Sequence, residues 1–170
     1  MTVFVALLRA VNVGGNSRLP MDELKSLCVS AGFEAVRTYI ASGNVVLESP
    51  WPESQVKAAL ESALEAYAGR PISVMVRGAA ELDAVLAANP FQHTPAPKTA
   101  IIFLDSAPPP DTLEQVSGVN GEDIRLGGRE IYVHYPYGMG TSRLKFPAAV
   151  TGTARNLKTV AKLVAMTRPT

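Results

Sequence analysis

Four stretches of this 170-residue chain combine the residue types that hold a negatively charged group. The first is Arg9-Ala10-Val11-Asn12-Val13-Gly14-Gly15-Asn16-Ser17-Arg18. It leads from an apolar run into a helical pattern. Backbone N–H groups at such a place attract anions, and glycines let a ligand approach the backbone. Arg9, Asn12 and Arg18 add donors beside Gly14, Gly15 and Asn16. No Gly-Lys-Ser/Thr follows, so the loop is not a phosphate-binding P-loop. A turn whose glycines only supply positive φ is the equal alternative. The second stretch, Ser42-Gly43-Asn44, reads first as a tight hairpin turn. Ser42 and Asn44 would then stand at the sheet end that the first loop occupies. In the third, Tyr135-Pro136-Tyr137-Gly138-Met139-Gly140-Thr141-Ser142-Arg143, a Ser142 donor and an Arg143 charge could hold an oxyanion. The tyrosines there could stack on a ring; an ordinary loop into a short helix fits as well. The fourth runs from Thr151 to Leu163. Thr153 is placed as an N-cap, with Arg155 and Asn156 just inside the helix start. Arg155, Lys158 and Lys162 would share one face, opposite Leu157, Val160, Ala161 and Val164. A helix start, a hydroxyl and an arginine make an anion seat; a merely solvated basic face is the alternative.

Other chemistries lack their residues. The one cysteine, Cys28, falls on the apolar face of a helical pattern and reads as an inert buried thiol. His93 and His134 stand apart, without the spacing of a metal site. No Gly-x-Ser-x-Gly or paired-carboxylate pattern occurs, and Asp22-Glu23 suit the first turn of a helix. The sequence therefore implies no metal and no cofactor. It leaves open whether the protein binds an unidentified anionic ligand, nucleic acid among the candidates, turns over a small anionic or phosphorylated metabolite, or acts as a protein-interaction scaffold. Charge sharpens the first option. Residues 1–130 hold ten basic and all fifteen acidic side chains, whereas residues 131–170 hold six basic ones and no acid. Folding could also bring the acidic part beside the basic one.

The elements that would position these residues follow from periodicity. Thr2–Leu8 is an apolar strand. Pro20 opens a helix carrying Met21, Leu24, Leu27, Cys28 and Ala31, which Gly32 stops. Strands follow at Val36–Ala41 and Asn44–Glu48. A helix then presents Val56, Ala59, Leu60, Ala63, Leu64 and Tyr67, and Ile72–Val76 is a further strand. The order β-α-β-β-α-β is that of the ferredoxin-like unit. Ala79–Ala88 is a helix, and residues 92–98 form a proline-containing linker. Thr99–Leu104 is a strand and Asp111–Val116 a short helix. Asp123–Leu126 and Glu130–Tyr135 are strands paired across Gly127-Gly128. Residues 142–149 form a turn or more of helix, and Ala154–Met166 is a helix. The second half thus reads β-α-β-β-α, a repeat lacking its last strand. The expectation is an α+β, duplicated ferredoxin-like chain with antiparallel sheets covered by helices, divided into 1–88 and 89–170. No apolar run reaches membrane-span length, and no basic segment precedes the first strand. These features predict a cytoplasmic protein without membrane attachment.

The runs Leu8–Gly15, Thr38–Val45, Asn89-Pro90-Phe91, Gly140–Leu144 and Thr153–Val160 together resemble the bacterial domain-of-unknown-function family sixteen-ninety-seven. The resemblance covers nearly the whole chain in order. It implies a duplicated ferredoxin-like α+β fold and no established activity, substrate or cofactor. Two departures stand out. Asn16 occupies a place that is often basic in the family, and Leu157 one that is often Trp, so a stacking role for that Trp does not transfer.

Overall fold

Phe4, Val5, Ala6, Leu7 and Leu8 are all buried in the computed structural model, which describes residues 1–13, 18–93 and 98–169. A run without polar alternation suits a strand covered on both faces, and β1 (Thr2–Leu8) is one of the two inner strands of the first sheet. It is followed by α1 (Met21–Ser30), β2 (Glu34–Tyr39), β3 (Asn44–Ser49), α2 (Glu53–Ala68), β4 (Val74–Gly78) and α3 (Ala79–Ala87). The sheet is antiparallel, in the order β2-β3-β1-β4. The second series is β5 (Thr99–Phe103), a 3-10 turn (Thr112–Gln115), β6 (Asp123–Leu126), β7 (Glu130–His134), α4 (Pro147–Thr151), β8 (Thr153–Asn156) and α5 (Leu157–Thr167). Its sheet, β6-β7-β5-β8, repeats the first permutation strand for strand. Among the described residues no helix is long and apolar enough to cross a membrane.

Two compact units result, Met1–Leu82 with Leu163–Thr170, and Asp83–Lys162. In the first, Leu24 and Cys28 of α1 and Val56, Leu60 and Leu64 of α2 cover Phe4, Ala6, Leu8, Val45, Leu47, Val74 and Val76. Each fully buried aliphatic side chain contributes about 1.5–3 kcal/mol. The alternate residues Val5, Leu7, Val46 and Met75 are buried as well. Strand β4 lies at a sheet edge, where unpaired backbone groups invite foreign strands. Here α2 covers them: Lys57 Nζ donates to the Val74 carbonyl at 2.6 Å, and the Glu61 carboxylate accepts from the Val74 N–H at 2.9 Å. In the second unit Ile102, Leu104, Ile131, Val133 and Phe146 form the core, with Val116, Leu144, Ala148 and Ala149 against it.

The duplicated α+β architecture expected from the sequence is present, with corrections in the second repeat. The second repeat has its last strand: Thr153–Asn156 pairs with β5, Ile101 opposite Arg155. What is reduced is the helical layer, since the expected helix at 111–116 is a single 3-10 turn and α4 has five residues. The expected helix from Ala154 begins at Leu157, because residues 153–156 complete the sheet instead. Domain limits differ too from the expected division after residue 88. Helix α3 passes from the first unit into the second, and the last part of α5 groups with the first.

Candidate functional site

The first loop and the hairpin turn meet at one end of the first sheet. The agent is Asn12, whose Nδ2 donates to the carbonyls of Leu19 at 2.8 Å and Ala41 at 2.7 Å. Its Oδ1 accepts from the Leu19 N–H at 2.7 Å. This exposed side chain therefore ties both ends of the loop to the turn. Gly43 is needed there twice over. Its φ is +88°, and a Cβ would lie 2.7 Å from Val11 Cγ2 and 2.9 Å from Leu8 Cβ. Asn44 is fully buried and donates to the Tyr39 carbonyl and to Ser42 Oγ, at 2.8 and 2.9 Å. Both side chains thus hold the turn. Three non-glycine residues of this region, Ala10, Asn12 and Ile40, have φ of +56 or +57° or, for Ile40, +49°. A β-branched residue in that conformation is strained by about 1–3 kcal/mol, and such strain persists only where surroundings fix it. Gly14, Gly15 and Asn16 lie outside the described residues.

Beside this anchored loop is a cavity of about 330 Å³, lined by Arg18, Leu19, Tyr67, Ala68, Arg70 and Ile72. Leu19 and Ile72 are buried and form an apolar floor. Tyr67, in the last turn of α2, is 43% exposed. Gly69, at φ +74°, ends the helix and sends the chain into Arg70. The side chains of Arg18 and Arg70 have no hydrogen bond or ion pair among the described residues, and no acid is in the lining. Arg9 stands at the same edge, its N–H donating to the Ser73 carbonyl at 2.9 Å, next to Ile72.

In the second unit Ser142, Thr153, Arg155 and Asn156 are engaged by the protein itself. Ser142 Oγ donates to Glu122 Oε2 at 2.9 Å. A hydrogen bond from the Asn120 N–H, aided by Ser142, holds the Glu122 carboxyl below its usual range, although partial desolvation opposes this. The surrounding cavity, about 430 Å³, is lined by Glu122, Tyr137, Ser142 and the exposed Arg143 among others. A second anion would face the Glu122 carboxylate. Thr153 and Arg155 are on β8, not at a helix start, and both are 6% exposed. Arg155 Nη1 donates to Thr153 Oγ1 at 2.6 Å and to the Ala154 carbonyl at 2.9 Å, and burial pulls its pKa down to about 10. It is not on the face of Lys158 and Lys162. The N-cap of α5 is Asn156, whose Oδ1 accepts the Thr159 N–H at 2.8 Å, in place of the expected Thr153. The chain begins its helix three residues later than expected, so the cap moves with it.

The structure therefore joins Arg9, Asn12, Ser42 and Asn44 to one sheet end. The lining of the cavity beside Ser142 and Arg143 does not include Thr153, Arg155 or Asn156. Sequence reasoning missed Tyr67 and Arg70. Tyr67 matched the apolar period of α2 and read as core; its place in the last turn, two residues before a helix-ending Gly-Arg, was the available signal. It also missed Arg77, 1% exposed, which faces Val5 on β4 as Arg155 faces Ile101 on β8. Arg77 Nη1 donates to the Val76 carbonyl, as Arg155 does to that of Ala154. Matched buried arginines thus mark the duplication more clearly than any shared motif.

Two sheets of one strand permutation, each followed by a helix, define a duplicated ferredoxin-like α+β protein. Residues 1–132 match the family described as "Protein of unknown function (DUF1697)", and the chain belongs to that family. In fold it is similar to the conserved bacterial protein SP0830 from Streptococcus pneumoniae. The two share 24% identity over 98% of this chain and 99% of the other, with a TM-score of 0.82. None of the curated proteins matches it.

Proposed function

We propose that the protein is an anion-binding module that takes a phosphate-bearing ligand at the cavity between Arg18 and Arg70. The observation that carries this reading is two arginines without partners among the described residues, on one cavity with no acid in its lining. One effect opposes it. The carboxyl end of α2 lies at the cavity and presents about half a negative charge. Two guanidinium groups outweigh that, and a planar guanidinium can grip a phosphate with two parallel hydrogen bonds. Leu19, the neighbour of Arg18, is pinned by Asn12 through both its N–H and its carbonyl, which lowers the ordering that a ligand must impose at this point.

Titration of the full chain with inorganic pyrophosphate tests the reading. At about 50 mM salt, Arg18→Ala and Arg70→Ala should each weaken binding by about tenfold or more, the loss of a charged hydrogen bond of about 1.5–3 kcal/mol. Arg143→Ala should leave it unchanged. Pyrophosphate binding that ignores Arg18 and Arg70, or no binding at all, defeats the proposal.

A further inference from the structure

We infer that the ligand of the Arg18–Arg70 cavity is a nucleotide, its base lying on Tyr67 and its phosphates on the two arginines. The inference rests on the anion-binding reading and adds the part of the cavity that an inorganic anion leaves unused. A phosphate alone needs cationic and polar donors. This cavity also has an apolar floor, Leu19 and Ile72, and an aromatic wall, Tyr67, nearly half exposed at the end of a helix. A large side chain left in that state on the rim of a cavity suits a planar apolar partner, and every base offers a π-face to stack upon. Tyr67 and Arg70 are separated by the αL turn at Gly69, so one short segment supplies both the ring and a charge. The last carbonyls of α2, unfavourable for a phosphate, are acceptors of the kind that ribose hydroxyls can use. About 330 Å³ is within the range of small-ligand sites and suits a single nucleotide. A polynucleotide would need a longer track of cations than two arginines provide.

Calorimetric titration of the full chain with pyrophosphate, ADP and a single-stranded hexanucleotide, at about 50 mM salt, separates the outcomes. ADP should bind roughly 5- to 150-fold more tightly than pyrophosphate, the range that stacking on one aromatic ring supplies. Tyr67→Ala should erase that preference and leave pyrophosphate affinity within about twofold, whereas Tyr67→Phe should keep the preference. Tyr67 is exposed, and circular dichroism of each variant checks that the fold is intact. Pyrophosphate binding with ADP no tighter overturns the nucleotide and leaves the anion reading standing. A preference for ADP that survives Tyr67→Ala also overturns it. A hexanucleotide bound more tightly than ADP replaces it with a polymer ligand. Failure of all three probes removes both readings.

Discussion

The Asn12 carboxamide makes three hydrogen bonds that close a loop of the chain onto a neighbouring turn. Each contributes about 0.5–1.5 kcal/mol net. Asn12→Ala should therefore lower the stability of the chain by about 2–3 kcal/mol in urea unfolding, and should also weaken pyrophosphate binding because Leu19 and Arg18 lose their anchor. A loss of stability below about 0.5 kcal/mol would show that the three bonds are replaced by water. Cys28 differs, being a group whose protonation reports the fold. Burial pushes its pKa from 9.0 up to about 12. Between those values the unfolded chain releases the thiol proton and the folded chain retains it. Stability should then fall as pH rises from 9 towards 12, by up to about 1.4 kcal/mol per pH unit. Denaturation of the wild type and of Cys28→Ala across that range measures the effect, and identical slopes would refute it. In the same sense, Cys28 in the folded chain should resist thiol reagents at pH 8.

At the scale of elements, the hairpin between β2 and β3 depends on one backbone position. Gly43 has both a positive φ and two side chains too close for a Cβ, and its carbonyl accepts the Leu8 N–H at 2.9 Å. Gly43→Ala combines strain with overpacking and should cost about 2–4 kcal/mol. Thermal unfolding reads this directly; a shift of less than about 2 °C would mean that the turn yields without cost. Strand β8 carries the opposite lesson. Thr153–Asn156 has the polar and charged residues of a helix start, and Thr153 is a good capping residue by type. Pairing with β5 outweighs that local preference, since four residues complete a sheet edge and bury Thr153 and Arg155. The cap role passes to Asn156, equally suited to it.

For the molecule as a whole, the acid-free stretch 131–170 looked like a surface for polyanions. Burial of Arg155 removes one of its six charges from water; of the others, Arg143 and Lys145 precede α4, Lys158 and Lys162 are on α5, and Arg168 follows it. With a formal net charge of +1, little long-range field favours duplex DNA. Non-specific duplex binding should be weaker than about 100 µM at roughly 0.15 M salt. Fluorescence anisotropy with a labelled duplex checks this, and submicromolar binding at that salt would reinstate the basic stretch as a nucleic-acid surface.

Sequence alone determined the β-α-β-β-α-β order, the turn at Gly43 and the inert setting of Cys28, because each follows from periodicity or from the local conformational limits of glycine and proline. The repetition of that order was legible for the same reason, even though the last strand of the second copy was not. Tertiary structure decided what local pattern leaves open. Arg155 could equally have been a solvated helix residue, and only its pairing opposite Ile101 put it in the interior. Tyr67 fits the apolar stripe of α2, yet the cavity at the end of that helix leaves it exposed. Side-chain period records which face of an element is apolar; it does not record where the neighbouring surface stops, and the Arg18–Arg70 cavity lies at such an edge.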